Sequence, residues 1–221
     1  MRRIRIISSI TLVLIAAFSA GCLNKTWLYD FTDPSALISD WHTSDMPTFT
    51  LDGTGLNIKD LSICSLVSFT GDLTTTVNFD YSVSGECQSS IGFGFSSAVF
   101  GEESSIIELN FQNPGSAGDT YSEGWSYISM GPKGYCIDLS TELISGFIID
   151  GINQVELALK GDKLKVSVNG RELHTGNAAN FERVSSHFIL WGYMEEEAAM
   201  VVKRVEVKYA GELIEDDRKS R

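Results

Sequence analysis

The strongest constraint on the fold of this chain is a two-residue alternation of apolar and polar side chains. The clearest run is 77–83, in which the apolar positions are Val77, Phe79, Tyr81 and Val83. The same alternation recurs in 91–95, 107–111, 155–159, 164–168 and 205–209. Because successive side chains of a strand point to opposite faces, each run predicts a strand with one buried face and one wet face. With no sustained helical period elsewhere, the sequence predicts an all-β protein of about a dozen strands, arranged as two stacked antiparallel sheets.

Turn residues support this interpretation. Gly161-Asp162 separates two alternating runs, and Asn169-Gly170 follows the second run. An Asn-Gly pair supplies the positive φ angles that a two-residue type I′ hairpin turn requires. We therefore expect a three-stranded meander around these turns. The helical candidates are short and lie at 33–40 and 178–184.

The first twenty-one residues have the pattern of a bacterial secretion signal. A basic start, 1–5, precedes an apolar run, 6–18, which is shorter than the roughly 20 residues that cross a bilayer. Residues 19–22 resemble the lipobox of bacterial lipoproteins, with Ser19 where leucine is usual. This resemblance implies that the signal is removed and that Cys22 receives a diacylglyceryl lipid. The alternative is an ordinary secretory signal that is cut nearby.

Beyond this signal, residues 1–21, we divide the chain into three parts. A lipidated N-terminus and short tether, 22–25, leads into a single β-sandwich domain, 26–211, which is about as large as one sandwich usually grows. A charged tail, 212–221, follows. Leu213 and Ile214 are the only apolar side chains of this tail, so we expect it to fray.

The charge balance excludes one class of partner. The chain has 17 basic and 29 acidic side chains and a formal net charge of −12. A surface of this sign repels nucleic acid and anionic lipid headgroups, so we expect neither as a partner. Because the acidic residues are scattered, we interpret them as a device for solubility in an exported protein.

The number of cysteines does not decide which disulfide bond, if any, is formed. Besides Cys22 there are three cysteines, and an odd number in an oxidising compartment allows at most one internal disulfide. If a bridge forms, we expect it between Cys87 and Cys136, since both lie beside glycine-rich turns. Cys64 lies in an apolar run, and we interpret it as a small core residue. The three histidines are far apart in sequence, so we predict no zinc site and no cofactor.

Three stretches of the chain resemble one known family. They are 152–170, which ends in Val-Asn-Gly, 200–209, which reads Met-Val-Val-Lys-Arg-Val-Glu-Val-Lys-Tyr, and 28–31, Leu-Tyr-Asp-Phe, followed by Trp41 and 49–56. Together these stretches resemble the concanavalin A-like jelly rolls, in particular the bacterial domains of the 3-keto-disaccharide hydrolase type. The resemblance implies a jelly-roll sandwich, and it supports the fold better than any activity.

Calcium is common in these jelly rolls. The resemblance suggests Asp52, Asn57 and Asp60 as oxygen ligands. Asp-Gly and Asn turns have the same sequence without a metal, and we interpret the three residues as turn residues.

The sequence argues against catalysis. Jelly-roll glucanases carry their carboxylates on one strand as Glu-x-Asp-x-x-Glu, and glycoside hydrolysis normally needs two carboxylates about 5 to 10 Å apart. The sequence has no such run. Glu108 lies on a predicted strand, but its same-face neighbours are Asn110 and Gln112 rather than acids. We therefore predict a non-catalytic protein, with a jelly-roll glycoside hydrolase as the alternative.

A polar strand face is the candidate binding site. A sugar presents apolar C–H faces ringed by hydroxyls, so its site combines aromatic planes with amides and carboxylates. Glu108, Asn110 and Gln112 form a polar row on one predicted strand, and small residues occupy the same face of the preceding strand: Gly92, Gly94 and Ser96. Small residues there would leave a trough.

Aromatic residues could form the walls of this trough. Tyr121, Trp125 and Tyr127 lie in or after a glycine-rich loop and are our candidates. For Trp125 a place in the sandwich core is an equal alternative, and Trp191 is interpreted as a core residue, since large aromatic side chains are mostly buried. The glycines could instead mark bulges or tight sheet packing.

These observations predict a lipid-anchored protein of the bacterial cell envelope that binds a glycan or a related extracellular ligand. Its membrane partner is engaged through the N-terminal lipid. Leu23, after Cys22, favours delivery to an outer membrane where two membranes exist, facing the periplasm or the exterior. Besides the hydrolase, the second alternative is a structural or adhesion protein whose sheet docks another protein.

Overall fold

The structure is a computed structural model, and it describes residues 25–33, 40–43, 53–83, 88–99, 105–114, 125–130, 135–140, 148–178, 181, 185–195 and 198–215. Within these ranges the chain forms fifteen β-strands and no α-helix. Nothing helical in them has the length and apolar character needed to cross a membrane. The predicted signal, 1–21, and Cys22 lie outside the described residues, as do most residues of both helical candidates.

The strands, in chain order, are β1 (Lys25–Asp30), β2 (Trp41–Thr43), β3 (Leu56–Ile58), β4 (Leu61–Phe69), β5 (Leu73–Val83), β6 (Gln88–Ser96), β7 (Ile106–Pro114), β8 (Trp125–Met130), β9 (Tyr135–Ser140), β10 (Gly151–Lys160), β11 (Lys163–Val168), β12 (Arg171–Asn177), β13 (Ser186–Met194), β14 (Ala198–Tyr209) and β15 (Leu213–Glu215). All the strand pairs are antiparallel.

The strands form two sheets. The seven-stranded sheet has the order β1-β14-β5-β10-β11-β12, with β3 also paired to β14. The eight-stranded sheet has the order β15-β4-β13-β6-β7-β8-β9, with β2 also paired to β4. Since their buried apolar side chains form one continuous core, the two sheets are stacked face to face. The predicted all-β, two-sheet antiparallel sandwich is confirmed.

The alternation in the sequence corresponds to burial in the structure. In β5, Val77, Phe79 and Tyr81 are buried in the core, whereas Asn78 and Asp80 are partly exposed. Across the sandwich, the ring of Phe79 contacts the ring of Phe93 on β6, with centroids 5.3 Å apart. The inner faces of β5 and β6 therefore pack on each other and join the two sheets.

The predicted meander is formed by β10, β11 and β12. Asn169 and Gly170 connect the last two strands with φ angles of 50° and 77°. Two successive positive φ angles are what a type I′ hairpin turn requires, so the Asn-Gly pair is used as predicted.

A buried polar side chain ties this meander to the chain that enters it. The Asn153 side-chain amide donates to the carbonyls of Ile149, at 2.7 Å, and of Gly151, at 2.9 Å. Its Oδ1 accepts from the Ile149 amide and from Asn169 Nδ2, both at 2.9 Å. Asn153 is therefore a buried polar group whose hydrogen bonds are satisfied, and it fixes the turn before β10.

Asn153→Ala is expected to lower the free energy of unfolding by about 2 to 3 kcal/mol, because two part-buried carbonyls, a part-buried backbone amide and the Asn169 side chain lose their hydrogen-bond partner. Urea denaturation followed by circular dichroism measures the change. Ile152→Ala, at an adjacent position that is 77% exposed, is the control and should change stability by less than about 0.5 kcal/mol. Equal stability of the two variants would contradict a structural role for Asn153.

One domain boundary needs correction. The sequence predicts a frayed tail from residue 212, but residues 213–215 form β15 and pair with β4 at the edge of the eight-stranded sheet. Leu213 packs against the core, which offsets the entropy lost on ordering this short strand. Residues 216–221 lie outside the described part of the chain.

Candidate functional site

The candidate site lies on the face of the eight-stranded sheet that is turned away from the core, called here the outer face. In β7, Ile107, Leu109 and Phe111 are buried in the core between the sheets. Because side chains alternate along a strand, the intervening Glu108 and Asn110 belong to the outer face. The polar face predicted from the sequence is therefore present on β7.

Strand register defines the neighbours of these two residues. Asn110 is paired with Gly92 on β6, and Gly92 is paired with Trp191 on β13. Glu108 is paired with Gly94 on β6, and Gly94 is paired with Ile189 on β13. Two rows thus run across the outer face, each with a glycine between a polar residue of β7 and a larger apolar residue of β13.

Trp191 is part of this face, and its interpretation as a core residue is wrong. The Trp191 indole Nε1–H donates a hydrogen bond to Glu108 Oε1, and the side chain is only partly buried. Its immediate neighbours in β13, Leu190 and Gly192, take the inward positions, as the core membership of Leu190 shows. The alternation along β13 therefore turns Trp191 outwards.

The predicted trough over the glycines is filled. A Cβ atom at Gly92 would collide with the Trp191 indole and with Glu108 Oε1, so the hydrogen-bonded pair lies directly over Gly92. A Cβ atom at Gly94 would collide with the backbone carbonyl of Ile107. Gly94 therefore permits close strand packing, and Gly92 makes room for the indole and carboxyl pair.

The carboxyl of Glu108 is held in an unusual environment. Burial raises its pKa from 4.5 to about 7, and the hydrogen bond from the Asn110 side chain offsets part of this rise. Burial has this effect because the ionised form loses hydration that a low-dielectric surrounding does not replace. Glu108 is thus a carboxyl that is largely protonated in mildly acidic solution.

Asn110 adds a buried polar group beside it. The residue is 1% exposed, and its amide nitrogen lies 3.4 Å from the Glu108 carbonyl. Its Oδ1 is buried and accepts no hydrogen bond among the described residues. An unsatisfied buried carbonyl costs about 1 to 3 kcal/mol, so such a group needs an explanation such as a bound ligand or water.

An apolar cluster borders the polar pair. Cys64, Leu66, Val99 and Ile189 form a small second core, with Ile106 packed against it. Ile106 precedes Glu108 by two residues on β7, and Ile189 belongs to the same row as Glu108. The register therefore places this apolar cluster beside Glu108 on the outer face. Cys64 is a buried apolar residue, as predicted, although it lies in this second core rather than between the sheets.

On the side of Glu108 that faces away from this cluster, the outer face carries an exposed aromatic residue. Tyr193 follows Trp191 by two residues on β13, is 45% exposed and is paired with Ser90 on β6. Ser90 is paired in turn with Gln112. The outer face therefore passes from an apolar cluster, through Glu108 and Asn110, to an exposed tyrosine and a serine. Sequence reasoning missed Tyr193 as well as Trp191.

The structure places the backbone of two further candidates near this pair. Tyr127 is opposite Asn110 and Trp125 is opposite Gln112 in the pairing of β7 with β8. Tyr121 lies outside the described residues. The ligand-binding roles of Glu108, Asn110, Gln112, Tyr121, Trp125 and Tyr127 stay predictions.

The remaining site predictions fall mostly outside the described chain. Asp52 and Cys87 lie outside the described residues. The backbone of Cys136, on β9, lies opposite Ser129 of β8. The predicted disulfide between Cys87 and Cys136 therefore stays a prediction. Asp60 has a φ of 50° in the turn between β3 and β4, which agrees with its interpretation as a turn residue. The same interpretation is wrong for Asn57, which lies in β3 and is paired with Val201 on β14. No group of three or more His, Cys, Asp or Glu suited to a metal ion occurs within the described ranges.

Comparison with known proteins gives the fold. No family model matches the chain, and no curated protein is significantly similar to it in sequence. Solved structures are similar in three dimensions. The CBM2 module of the evolved Dit of Lactobacillus casei BL23 phage J-1 is 9% identical, with a TM-score of 0.62 over 84% of this chain and 96% of that one.

Two further structures widen the comparison. A Bacillus subtilis protein of unknown function with a galectin-like fold is 11% identical, with a TM-score of 0.60 over 82% of this chain and 94% of that one. The laminarinase from Flavobacterium sp. UMI-01 is 11% identical, with a TM-score of 0.58 over 82% and 98%. At such identities the similarity shows the fold alone, and that fold is the jelly-roll sandwich expected from the sequence.

Proposed function

We propose that this jelly roll is a carbohydrate-binding domain whose outer face, at Glu108, Asn110, Trp191 and Tyr193, contacts a glycan without cleaving it. The observation that carries the proposal is the combination of an exposed aromatic ring, a carboxyl and an unsatisfied buried amide oxygen on one sheet face. Aromatic planes suit the C–H faces of a pyranose, and the polar groups suit its hydroxyls.

The similar structures support a glycan as the ligand class. The names of two of them, a CBM2 module and a laminarinase, are those of proteins that bind or act on carbohydrate. Because the sequence identities are only 9% and 11%, this support comes from the shared fold.

The proposal includes attachment to the bacterial cell envelope through a lipid on Cys22. Two residues separate Cys22 from the start of β1 at Lys25, so the domain would lie close to the membrane that carries it. Where two membranes are present, we place the protein at the outer one.

Tyr193→Ala should weaken binding of a recognised glycan about tenfold, because it removes an aromatic plane from the site. Isothermal titration calorimetry on the full chain, in a detergent without a sugar headgroup, measures the affinity after a glycan array has identified the ligand. Ile214→Ala is the matched control, since Ile214 and Tyr193 are both 45% exposed and Ile214 lies on β15. Equal weakening by both variants would contradict the proposed face.

A glycoside hydrolase is the second candidate, and one observation favours it. A carboxyl with a pKa of about 7 is suited to act as a general acid near neutral pH. However, the cross-strand partners of Glu108 and Asn110 are Gly94, Gly92, Ser129 and Tyr127, and none of these is a carboxylate. Release of reducing ends that disappears in Glu108→Gln would establish the hydrolase. Absence of both binding and release would leave a protein-docking role.

A further inference from the structure

The centre of the outer face presents hydrogen-bond acceptors. Glu108 accepts the Trp191 indole N–H, so this donor is already used. Asn110 Oδ1 is an acceptor without a described partner, and Asn110 Nδ2 lies 3.4 Å from the Glu108 carbonyl. The acceptor that lacks a described partner, Asn110 Oδ1, is therefore completed by a ligand group that brings a donor.

Among the described residues, no lysine or arginine is paired with Glu108 across the sheet. Gly94 on β6 and Ser129 on β8 are the cross-strand partners of Glu108, and Ile189 on β13 completes the row. None of these is charged. His187, the next outward residue of β13 beyond Ile189, has its Nδ1 2.8 Å from the Ser65 carbonyl. On β9, Asp138 is opposite Tyr127 and is an acid.

We propose, building on the proposed glycan-binding function, that this centre binds the protonated amino group of an amino sugar, with the ammonium donating to the Glu108 carboxylate and to Asn110 Oδ1. An ammonium brings three donors and one positive charge, whereas a hydroxyl brings one donor and no charge. The formal net charge of −12 favours the approach of a cation to the protein.

Binding of this kind has two accompanying changes. Below pH 7 the Glu108 carboxyl gives up its proton when the ammonium arrives, since the ion pair favours the ionised form. Asn110 Oδ1 is buried in the free protein, so a neighbouring side chain must move to admit the ligand. Trp191 lies across the adjacent Gly92 and is partly exposed, and we expect its indole to move.

The test compares three tetrasaccharides of equal linkage with the full chain at pH 6: β-1,4-linked glucosamine, N-acetylglucosamine and glucose. The glucosamine oligomer should bind at least tenfold more tightly than the other two. Calorimetry in two buffers of different ionisation enthalpy should report release of roughly one proton per ligand bound. Tryptophan emission should change on binding in the wild type and less in Trp191→Phe.

Two variants separate the site from general attraction between a polycation and an acidic protein. Glu108→Gln keeps a hydrogen-bonding side chain but loses the charge, so it should lose both the preference for glucosamine over glucose and the proton release. Glu156→Gln makes the same charge change on β10 of the other sheet and should retain the preference. Putrescine, an amine without a sugar ring, should bind at least tenfold more weakly than the glucosamine oligomer.

The outcomes are distinguishable. Equal binding of the three oligosaccharides overturns the amino-sugar proposal and leaves the proposed glycan-binding function intact. If the preference for glucosamine survives in Glu108→Gln, or is lost equally in Glu156→Gln, the preference results from general charge attraction. Either result also overturns the proposal. Putrescine binding as tightly as the glucosamine oligomer does the same. No binding of any oligosaccharide counts against the proposed function itself.

Discussion

Phe93→Ala is expected to lower the free energy of unfolding by about 3 to 5 kcal/mol. Phe93 is fully buried on β6, and its ring packs on Phe79 of β5 across the two sheets, with centroids 5.3 Å apart. Removing the ring costs the transfer energy of the lost atoms and leaves a cavity that the sandwich fills only in part. Since domains of this size are stable by only about 5 to 15 kcal/mol, a large share of the stability would be lost.

Chemical denaturation followed by circular dichroism measures this effect, with midpoint and slope fitted separately. Leu28→Ala is the control, because Leu28 is a large apolar residue of β1 that is about half exposed. It should cost less than about 1 kcal/mol. If Phe93→Ala were no more destabilising than Leu28→Ala, the packing of the two sheets through this ring pair would be wrong.

The wild-type protein should lose about 2 to 3 kcal/mol of stability, relative to Glu108→Gln, as the pH rises from 4.5 to 7. In the folded protein the pKa of Glu108 is raised from 4.5 to about 7. Between these values the folded state holds a proton that the unfolded state has lost, so unfolding becomes easier as the pH increases. Below pH 4.5 the contribution is fully present, and above pH 7 it is gone.

Denaturation midpoints of both proteins, measured at half-unit steps of pH, test this prediction. Other groups titrate in or near the window. Burial lowers the pKa of His174, and hydrogen bonds from Lys208 and Lys165 lower the pKa of Glu206 and Glu172. These groups make stability rise with pH, but they are common to both proteins and cancel in the difference. Parallel curves for the two proteins would contradict the buried environment of Glu108.

Most of the fold could be predicted from the sequence because strands with one buried face carry a visible two-residue pattern. In β5 and β7 the inward positions are apolar and the outward ones polar, so both the strand and its orientation follow from residue type. The Asn169-Gly170 turn was equally visible, since few residue pairs tolerate two positive φ angles.

The site could be predicted only in part, for a physical reason that β13 illustrates. From Phe188 to Trp191 this strand is apolar on both faces, because one face meets the main core and the other meets the second apolar cluster. Without alternation, the sequence does not reveal which way Trp191 points. Trp191 and Glu108 are also 83 positions apart in the sequence, so no local pattern indicates their contact.

The tail prediction failed for a related reason. Leu213 is one apolar residue among charged ones, which in isolation indicates fraying. Its partner is the edge of β4, where Leu213 is paired with Phe69, and only the assembled sheet provides this surface.

The pairing of β1 with β14 has a consequence for how the protein acquires its shape. Lys25 lies opposite Tyr209, and β5 is flanked by β10 and β14, both of which are synthesised much later. Such a high contact order slows folding, because distant segments must meet before the enthalpy of pairing repays the loss of chain entropy. A nascent chain on the ribosome therefore stays without its seven-stranded sheet until β14 has emerged, and folding is expected to be late and cooperative.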